Sequence, residues 1–358
     1  MSSSQDRGPV PHSGRGAGRA RPARALGLAA VASGACLLAL APLLRLQVAP
    51  KLLVAPADVY QKTTLQAADA TYLDVKGRTV RRGARVTAVN TIRGDVRASD
   101  EKIAVWDSFT WIGDADSGAQ IDIQSQRVAF DRRTAQLLNV RGAAVNGDTS
   151  VKQSGIGLFW PIGVQKRTYY VFDTKTMMRQ PMKFAGVDRV GGVTAYRFVQ
   201  RTEPTVVGSP VRVPAALLGL DEPARGDRGS DAGSGEVEVD KVYEGTVTAW
   251  VDPRTGIRVD QRQTSRTVLR TKDGADRLVV ADLDLRLSDA DRRDRVSRTN
   301  KTARTILLLR GVLPLTSAGL GAALLMAVYL RARARRARLD AAPPLSREAE
   351  PEVHDDAV

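Results

Sequence analysis

The stretch Gly311–Leu330 constrains this chain more than any other part of it. It reads GVLPLTSAGLGAALLMAVYL, carries no charge, and runs directly into Arg331, Arg333, Arg335, Arg336 and Arg338. About 20 helical residues, rising about 1.5 Å each, cover the roughly 30 Å of a bilayer's hydrocarbon core. A segment so late in the chain is not a cleaved signal peptide. An integral membrane protein is therefore expected, and every other feature has to be placed relative to this span.

A second apolar stretch, Ala25–Leu44 (ALGLAAVASGACLLALAPLL), lies near the N-terminus. It is longer than the apolar region of about 7–15 residues in a signal peptide. No clean small-x-small cleavage site follows it, Val48-Ala49-Pro50 being a poor match. An uncleaved signal anchor is the favoured reading over a cleaved signal. Arg15, Arg19, Arg21 and Arg24 precede this span, and Arg45 and Lys51 follow it. Positive charge stays on the cytoplasmic side. The expectation is a two-pass plasma-membrane protein with both termini cytoplasmic and residues 45–310 outside. Small residues recur at four-residue spacing: Ser317 and Gly321, Ala318 and Ala322, and on the first span Ala25, Ala29 and Ser33. Such faces let helices approach closely in lipid, so the spans are expected to pack on each other through them. Pro314 is placed to kink the second span.

Between the spans the pattern changes to that of β-structure. Thr71–Val75, Val86–Thr91 and Ile103–Trp111 are rich in β-branched and aromatic residues. Leu278–Leu287 alternates cleanly: Val279, Ala281, Leu283, Leu285 and Leu287 face one way, Asp282, Asp284 and Arg286 the other. Lys272-Asp273-Gly274-Ala275 predicts a hairpin turn back to a strand near Thr264–Thr271. An apolar-Asp-x-x-Thr pattern recurs at Phe130–Thr134, Phe172–Thr176 and Val251–Thr255, and reads as three hairpin turns rather than three acidic sites. The fold class expected is mainly β: a curved antiparallel sheet flanked by two transmembrane α-helices.

The domain layout follows. Residues 1–24 form a disordered basic tail, 25–44 the first span, and 45–288 an extracytoplasmic β-domain with a mobile Gly/Asp/Arg/Ser loop at 221–235. Val213–Leu220 reads as a short apolar helix or clip. Residues 289–310 form a basic juxtamembrane helix capped by Ser288, 311–330 the second span, and 331–358 a tail first basic, then acidic.

Composition narrows the chemistry. The formal net charge is +15, much of it between the spans. Such a domain attracts anionic lipid headgroups or anionic wall polymers, although abundant arginine alone explains the balance equally well. A nucleic-acid partner is not expected for a domain outside the cell. The one cysteine, Cys36, lies in the first span, so the outer domain folds without a disulfide. His12 and His354 lie in opposite tails. The outer domain therefore has no histidine or cysteine for a triad, a thiol nucleophile or an ordinary zinc site. The carboxylate pairs Asp114/Asp116 and Asp282/Asp284 read as solvated strand and turn positions. No enzyme activity, cofactor or metal is expected. Trp106, Trp111, Phe159, Trp160 and Tyr169 are the candidate lining of an apolar ligand pocket, with plain core packing as the alternative.

Gly155–Asp173 reads GIGLFWPIGVQKRTYYVFD, unusually dense in glycine and aromatics. With Val105-Trp106-Asp107, Ala129–Thr134, Gly192–Phe198, Trp250–Gly256 and the two spans, it resembles the actinobacterial porin PorA family over roughly residues 25–330. The resemblance implies two spans flanking an extracytoplasmic β-domain in the cell envelope. The strands are not those of an outer-membrane barrel, since they carry charges on their second face and are interrupted by Pro/Gly-rich segments. A pore would have to come from oligomerised helices or a partner. The hairpins Val187–Phe198 and Trp250–Gly256 also look like the curved sheet of bacterial lipoprotein carriers, whose concave apolar face holds acyl chains. The expected function is thus non-enzymatic binding of an envelope component, with an envelope lipid or an anionic wall polymer as the candidates. A scaffold or accessory subunit that pairs with another membrane protein is the first alternative, and a porin-like channel component the second.

Overall fold

The computed structural model describes residues 21–220 and 235–340. The loop expected at 221–235 lies, but for Gly235, outside the described residues, as do the tails 1–20 and 341–358. The chain forms two compact units, divided at Ala49/Pro50 and Leu307/Leu308.

The first unit holds the apolar helices. Helix α1 spans Arg21–Leu43 and ends in a π-helical turn, Leu44–Val48, followed by the single turn α2 (Ala49–Leu52). A second π-helical turn, Leu308–Val312, precedes the long terminal helix, Leu313–Asp340. It lies just before Pro314, whose ring has no N–H to offer the preceding turn. The helices are long and apolar enough to cross a membrane. Helix α1 begins before its expected span and the terminal helix runs on past its own to Asp340, because basic flanks are good helix formers where they leave the apolar run.

The two helices pack on each other, but not wholly through the faces expected. On the terminal helix Ser317 and Gly321 are buried, whereas Ala322 is exposed. On α1 the buried residue is Gly34, one position past the expected Ser33, which is exposed together with Ala29. Neighbouring small residues offer two candidate faces, and the glycine permits the closer backbone approach. A Cβ added at Gly321 would lie 2.7 Å from the Gly34 carbonyl oxygen and 3.0 Å from the Leu38 nitrogen. Gly321→Ile is therefore expected to destabilise the helix pair by about 2 kcal/mol. The unfolding temperature of the detergent-solubilised chain should fall for Gly321→Ile and stay near wild type for Leu320→Ile, whose side chain is 60% exposed.

The second unit is the sheet, with thirteen strands among the described residues. One meander comprises β1 (Tyr60–Asp74), β2 (Thr79–Gly94), β3 (Ile103–Asp114), β4 (Gln120–Asp131) and the short β5 (Leu137–Leu138) and β6 (Ala144–Val145). The other comprises β7 (Tyr169–Asp173), β8 (Met178–Val190), β9 (Val193–Val206), β10 (Val211–Pro214), β11 (Glu236–Val251), β12 (Arg258–Arg270) and β13 (Asp276–Leu287). The strand order is β5-β4-β3-β2-β1-β13-β12-β11-β9-β8-β7, with β6 on β4 and β10 on β11. All ladders are antiparallel, and the first and last strands meet in the middle, Leu65 opposite Leu287. The sheet curls into a half-barrel.

Its two edges are stitched together by one extended residue. Ile156 bridges Gln136 on one side and Val171 on the other. The Leu137 N–H donates to the Gly155 carbonyl at 2.8 Å, and the Ile156 N–H to the Tyr170 carbonyl at 2.7 Å. The glycine-aromatic segment read from the sequence is thus the seam of the half-barrel.

The period-2 reading of β13 holds at its C-terminal half, where Leu283, Leu285 and Leu287 are buried and Asp282 and Arg286 exposed. Near its start both faces are apolar. Leu278 and Val280 pack with Val239, Leu269 and Leu218, the last on a 3₁₀ turn, Ala215–Leu218, that follows β10. The expected clip at 213–220 is therefore a strand end plus this turn, and it covers the second face. The apolar-Asp-x-x-Thr segments are turns: Asp131 Oδ1 accepts the N–H of Arg133 and Thr134, Asp173 Oδ1 that of Lys175, and Asp252 Oδ1 that of Arg254. After β13, helix α3 (Asp289–Leu307) starts at a reciprocal cap: the Asp291 N–H donates to Ser288 Oγ, and Ser288 Oγ donates to Asp291 Oδ2.

A buried carboxylate pins one hairpin. Asp114 accepts the N–H of Ser117 at 3.0 Å, the Tyr72 hydroxyl at 2.7 Å and the N–H of Asp116 at 2.8 Å. These donors, Ser117 first and then Tyr72, lower its pKa from 3.8 to about 2. A depressed folded-state pKa gives stability that is full above the unfolded value and lost as pH falls from about 4 to about 2. Asp114→Asn is expected to cost about 1–3 kcal/mol at neutral pH and to flatten the melting temperature's dependence on pH across that acid window.

A polar cavity inside the half-barrel

The inner face of the sheet is zoned along its strands. On β3 it begins with Ala104 and Trp106, both buried, turns polar at Ser108 and Thr110, and becomes apolar again at Ile112. The register aligns these zones across strands. Ser108 sits opposite Gln126, Thr110 opposite Gln124, Asn90 opposite Thr110, and Thr63 opposite Asn90. The other meander adds Gln200, Gln261 and Gln263. Together they line a cavity of about 240 Å³, with Leu158 and Trp160 of the seam segment on its wall.

The belt is held by its own hydrogen bonds. Asn90 Nδ2 donates to Ser108 Oγ and to Thr110 Oγ1, each at 2.8 Å. Gln126 Nε2 donates to Oε1 of the fully buried Gln153 at 2.8 Å, and Gln153 Nε2 donates to the Arg127 carbonyl at 2.9 Å. Amides and hydroxyls in fixed orientations can bind a polar group that satisfies their remaining donors and acceptors.

Two arginines enter one end of this cavity. Arg295 reaches in from α3 and is 7% exposed. Its Nη2 donates to Thr63 Oγ1 at 2.7 Å and its Nη1 to the Arg258 carbonyl at 2.9 Å. The Arg258 guanidinium donates to Gln261 Oε1 at 3.3 Å. Burial and the neighbouring Arg295 bring the Arg258 pKa down to about 10, and burial lowers that of Arg295. At other points of the wall, Lys175 pairs with Asp122, and burial, with Asp173 near, pushes the Tyr243 phenol up.

The five aromatic candidates are split by the fold. Trp160 lines the cavity. It also packs on Phe198 and Tyr169, with ring centroids 4.8 and 5.1 Å away, in a core cluster with Val251. Trp106 and Phe159 pack with Phe130 in a separate cluster, and Trp106 Nε1 donates to the Pro56 carbonyl at 3.0 Å. Trp111 lies on the opposite face of β3 from Trp106, being an odd number of residues away. Members of the acidic pairs are engaged with other side chains. Asp116 pairs with Arg85, while Asp114 faces Tyr72; Asp284 pairs with Arg262 at 2.7 Å and with Arg286 at 2.9 Å, and Asp282 is exposed.

Sequence reading missed the glutamine-asparagine belt and both arginines. The signal was present as Gln61-x-Thr63-x-Leu65, Ala88-x-Asn90-x-Ile92 and Gln124-x-Gln126-x-Val128. In these runs the polar residues share a face with buried apolar ones, whereas alternation is ordinarily read with polar residues outward.

The porin PorA family model matches residues 26–330, which include both apolar helices and the whole sheet. The chain belongs to the porin PorA family. A curated relative, porin PorA of Corynebacterium resistens, is 25% identical over 38% of this chain and 45% of its own length. The matched region thus spans less than half of that relative. Family membership groups the chain with porin-like membrane proteins. The matched range takes in the seam, the Asp turns and both apolar helices described above.

Proposed function

We propose that this PorA-family chain is a membrane-anchored binding protein whose half-barrel, outside the cytoplasm, receives the polar part of an envelope lipid. The observation that carries this is the cavity. Its belt of amide and hydroxyl side chains is flanked by apolar clusters within one curved sheet, a lining that suits an amphipathic molecule. Both helices serve as anchors, with the termini cytoplasmic by the positive-inside rule. The test uses the full chain extracted in mild detergent. Mass spectrometry of the intact protein should find a bound envelope lipid, absent from Ser108→Phe, which fills the belt. Equal lipid on both proteins, or none on the wild type, contradicts the reading.

The family favours a second reading, porin-like conductance. The β unit offers little support for a lipid-facing barrel. Its strands carry ion pairs such as Arg262–Asp284 and Arg270–Asp276, and charge on a lipid-exposed strand face is costly. Conductance would fall to helices assembled from several copies. Purified chain in planar bilayers should then give discrete current steps that Gly321→Ile abolishes.

A further inference from the structure

We infer that Arg258 and Arg295 form an anion seat within the cavity, taking a phosphate group; this deepens the binding reading and rests on it. Arg295 is buried, and its guanidinium bonds are to a hydroxyl and a carbonyl, both neutral. Arg258 has one side-chain contact, to a neutral amide. Among the described residues no carboxylate lies within ion-pair distance of either guanidinium, although burial desolvates both, whereas several other sheet arginines do have carboxylate partners: Arg127 with Asp95 and Asp107, Arg262 with Asp284, Arg270 with Asp276. The nearby acids are engaged otherwise. Asp291 accepts from Ser288 and from the Thr64 N–H, and Asp260 lies 3.7 Å from Arg292.

Two guanidinium groups with neutral partners in one polar cavity form a site of excess positive charge. An anion beside them would offset that charge; burial first, and the neighbouring Arg295 second, lower the Arg258 pKa. Guanidinium donors match phosphate oxygens in geometry and charge. The cavity wall beside them supplies further amide donors from Gln261 and Gln263. A pair serving only to clip α3 to the sheet would need Arg295 alone, since its two bonds already tie α3 to β1 and β12.

Titration calorimetry on the full chain in uncharged detergent tests this with three probes: inorganic phosphate, dioctanoyl phosphatidic acid and dioctanoylglycerol. Dioctanoyl phosphatidic acid should bind, and Arg258→Gln should weaken it about tenfold or more with the melting temperature unchanged. Arg295→Lys, which keeps the charge and loses the fork, should weaken it to a smaller extent. Inorganic phosphate binding as tightly as the lipid marks free phosphate as the source; binding by the lipid alone marks a headgroup. Wild-type chain that binds neither phosphate probe, or a folded Arg258→Gln that binds them as wild type does, overturns the anion seat. Dioctanoylglycerol bound by wild type and by Arg258→Gln, but not by Ser108→Phe, would leave the lipid reading standing while the seat falls.

Discussion

Gly155→Ala should lower the stability of the β unit by roughly 3 kcal/mol, a large share of the roughly 5–15 kcal/mol typical of a folded domain. Gly155 has φ of 84°, and its carbonyl accepts the bond that joins the β5 edge to the seam. An added Cβ would lie 2.9 Å from the Tyr170 carbonyl carbon and within contact of its oxygen. That oxygen accepts the Ile156 N–H, so moving it aside breaks the stitch between the edges. Gly163 is an internal comparison. Its φ is 83°, and a Cβ there meets nothing within 4 Å. Gly163→Ala should therefore cost only the conformational part, about 1 kcal/mol. Urea unfolding followed by circular dichroism reads both. Equal losses at the two positions would mean that the seam bears no special load.

Trp160→Ala is expected to cost about 3–5 kcal/mol, the usual range for emptying a buried aromatic site. Trp160 is 3% exposed, packs against Phe198 and Tyr169, and also forms part of the cavity wall. Removing it takes away core contacts and opens the cavity at the same time. Trp160→Phe restores most of the packing and should recover more than half of the loss. Trp111, on the other face of β3, is the control: Trp111→Ala should cost about 1 kcal/mol, as at partly exposed sites. Thermal melts of the three variants check this ordering, and a Trp111→Ala as damaging as Trp160→Ala would contradict it.

Much of the architecture was legible in the sequence because it rests on local rules. Charge and length placed both apolar helices. Period-2 alternation found β13, the Asp turns marked hairpins, and Ser288 marked the start of α3. What stayed hidden was set by pairing between distant strands. Gln126 has meaning only once Ser108 stands opposite it and Gln153 closes over it, and nothing local to residue 126 announces either partner. Arg295 reads locally as one more base on a basic helix, and only the fold turns it into the cavity beside Arg258. The aromatic candidates were sought as a single group. The fold instead distributes them between two core clusters and an outer face, leaving Trp160 on the wall. The helix contact was misread by one residue for a simpler reason: small residues at adjacent positions give two faces, and the closer approach falls to the glycine.

The central claim is that the half-barrel holds a molecule of the envelope in its amide belt. The most direct measurement is an experimental structure of the full chain purified from its own membranes in mild detergent. The account predicts density for an amphipathic molecule whose polar end meets Asn90, Gln126 and Gln200, with an anionic group between Arg258 and Arg295. A cavity holding only ordered water, in a chain purified without added detergent wash, would contradict it.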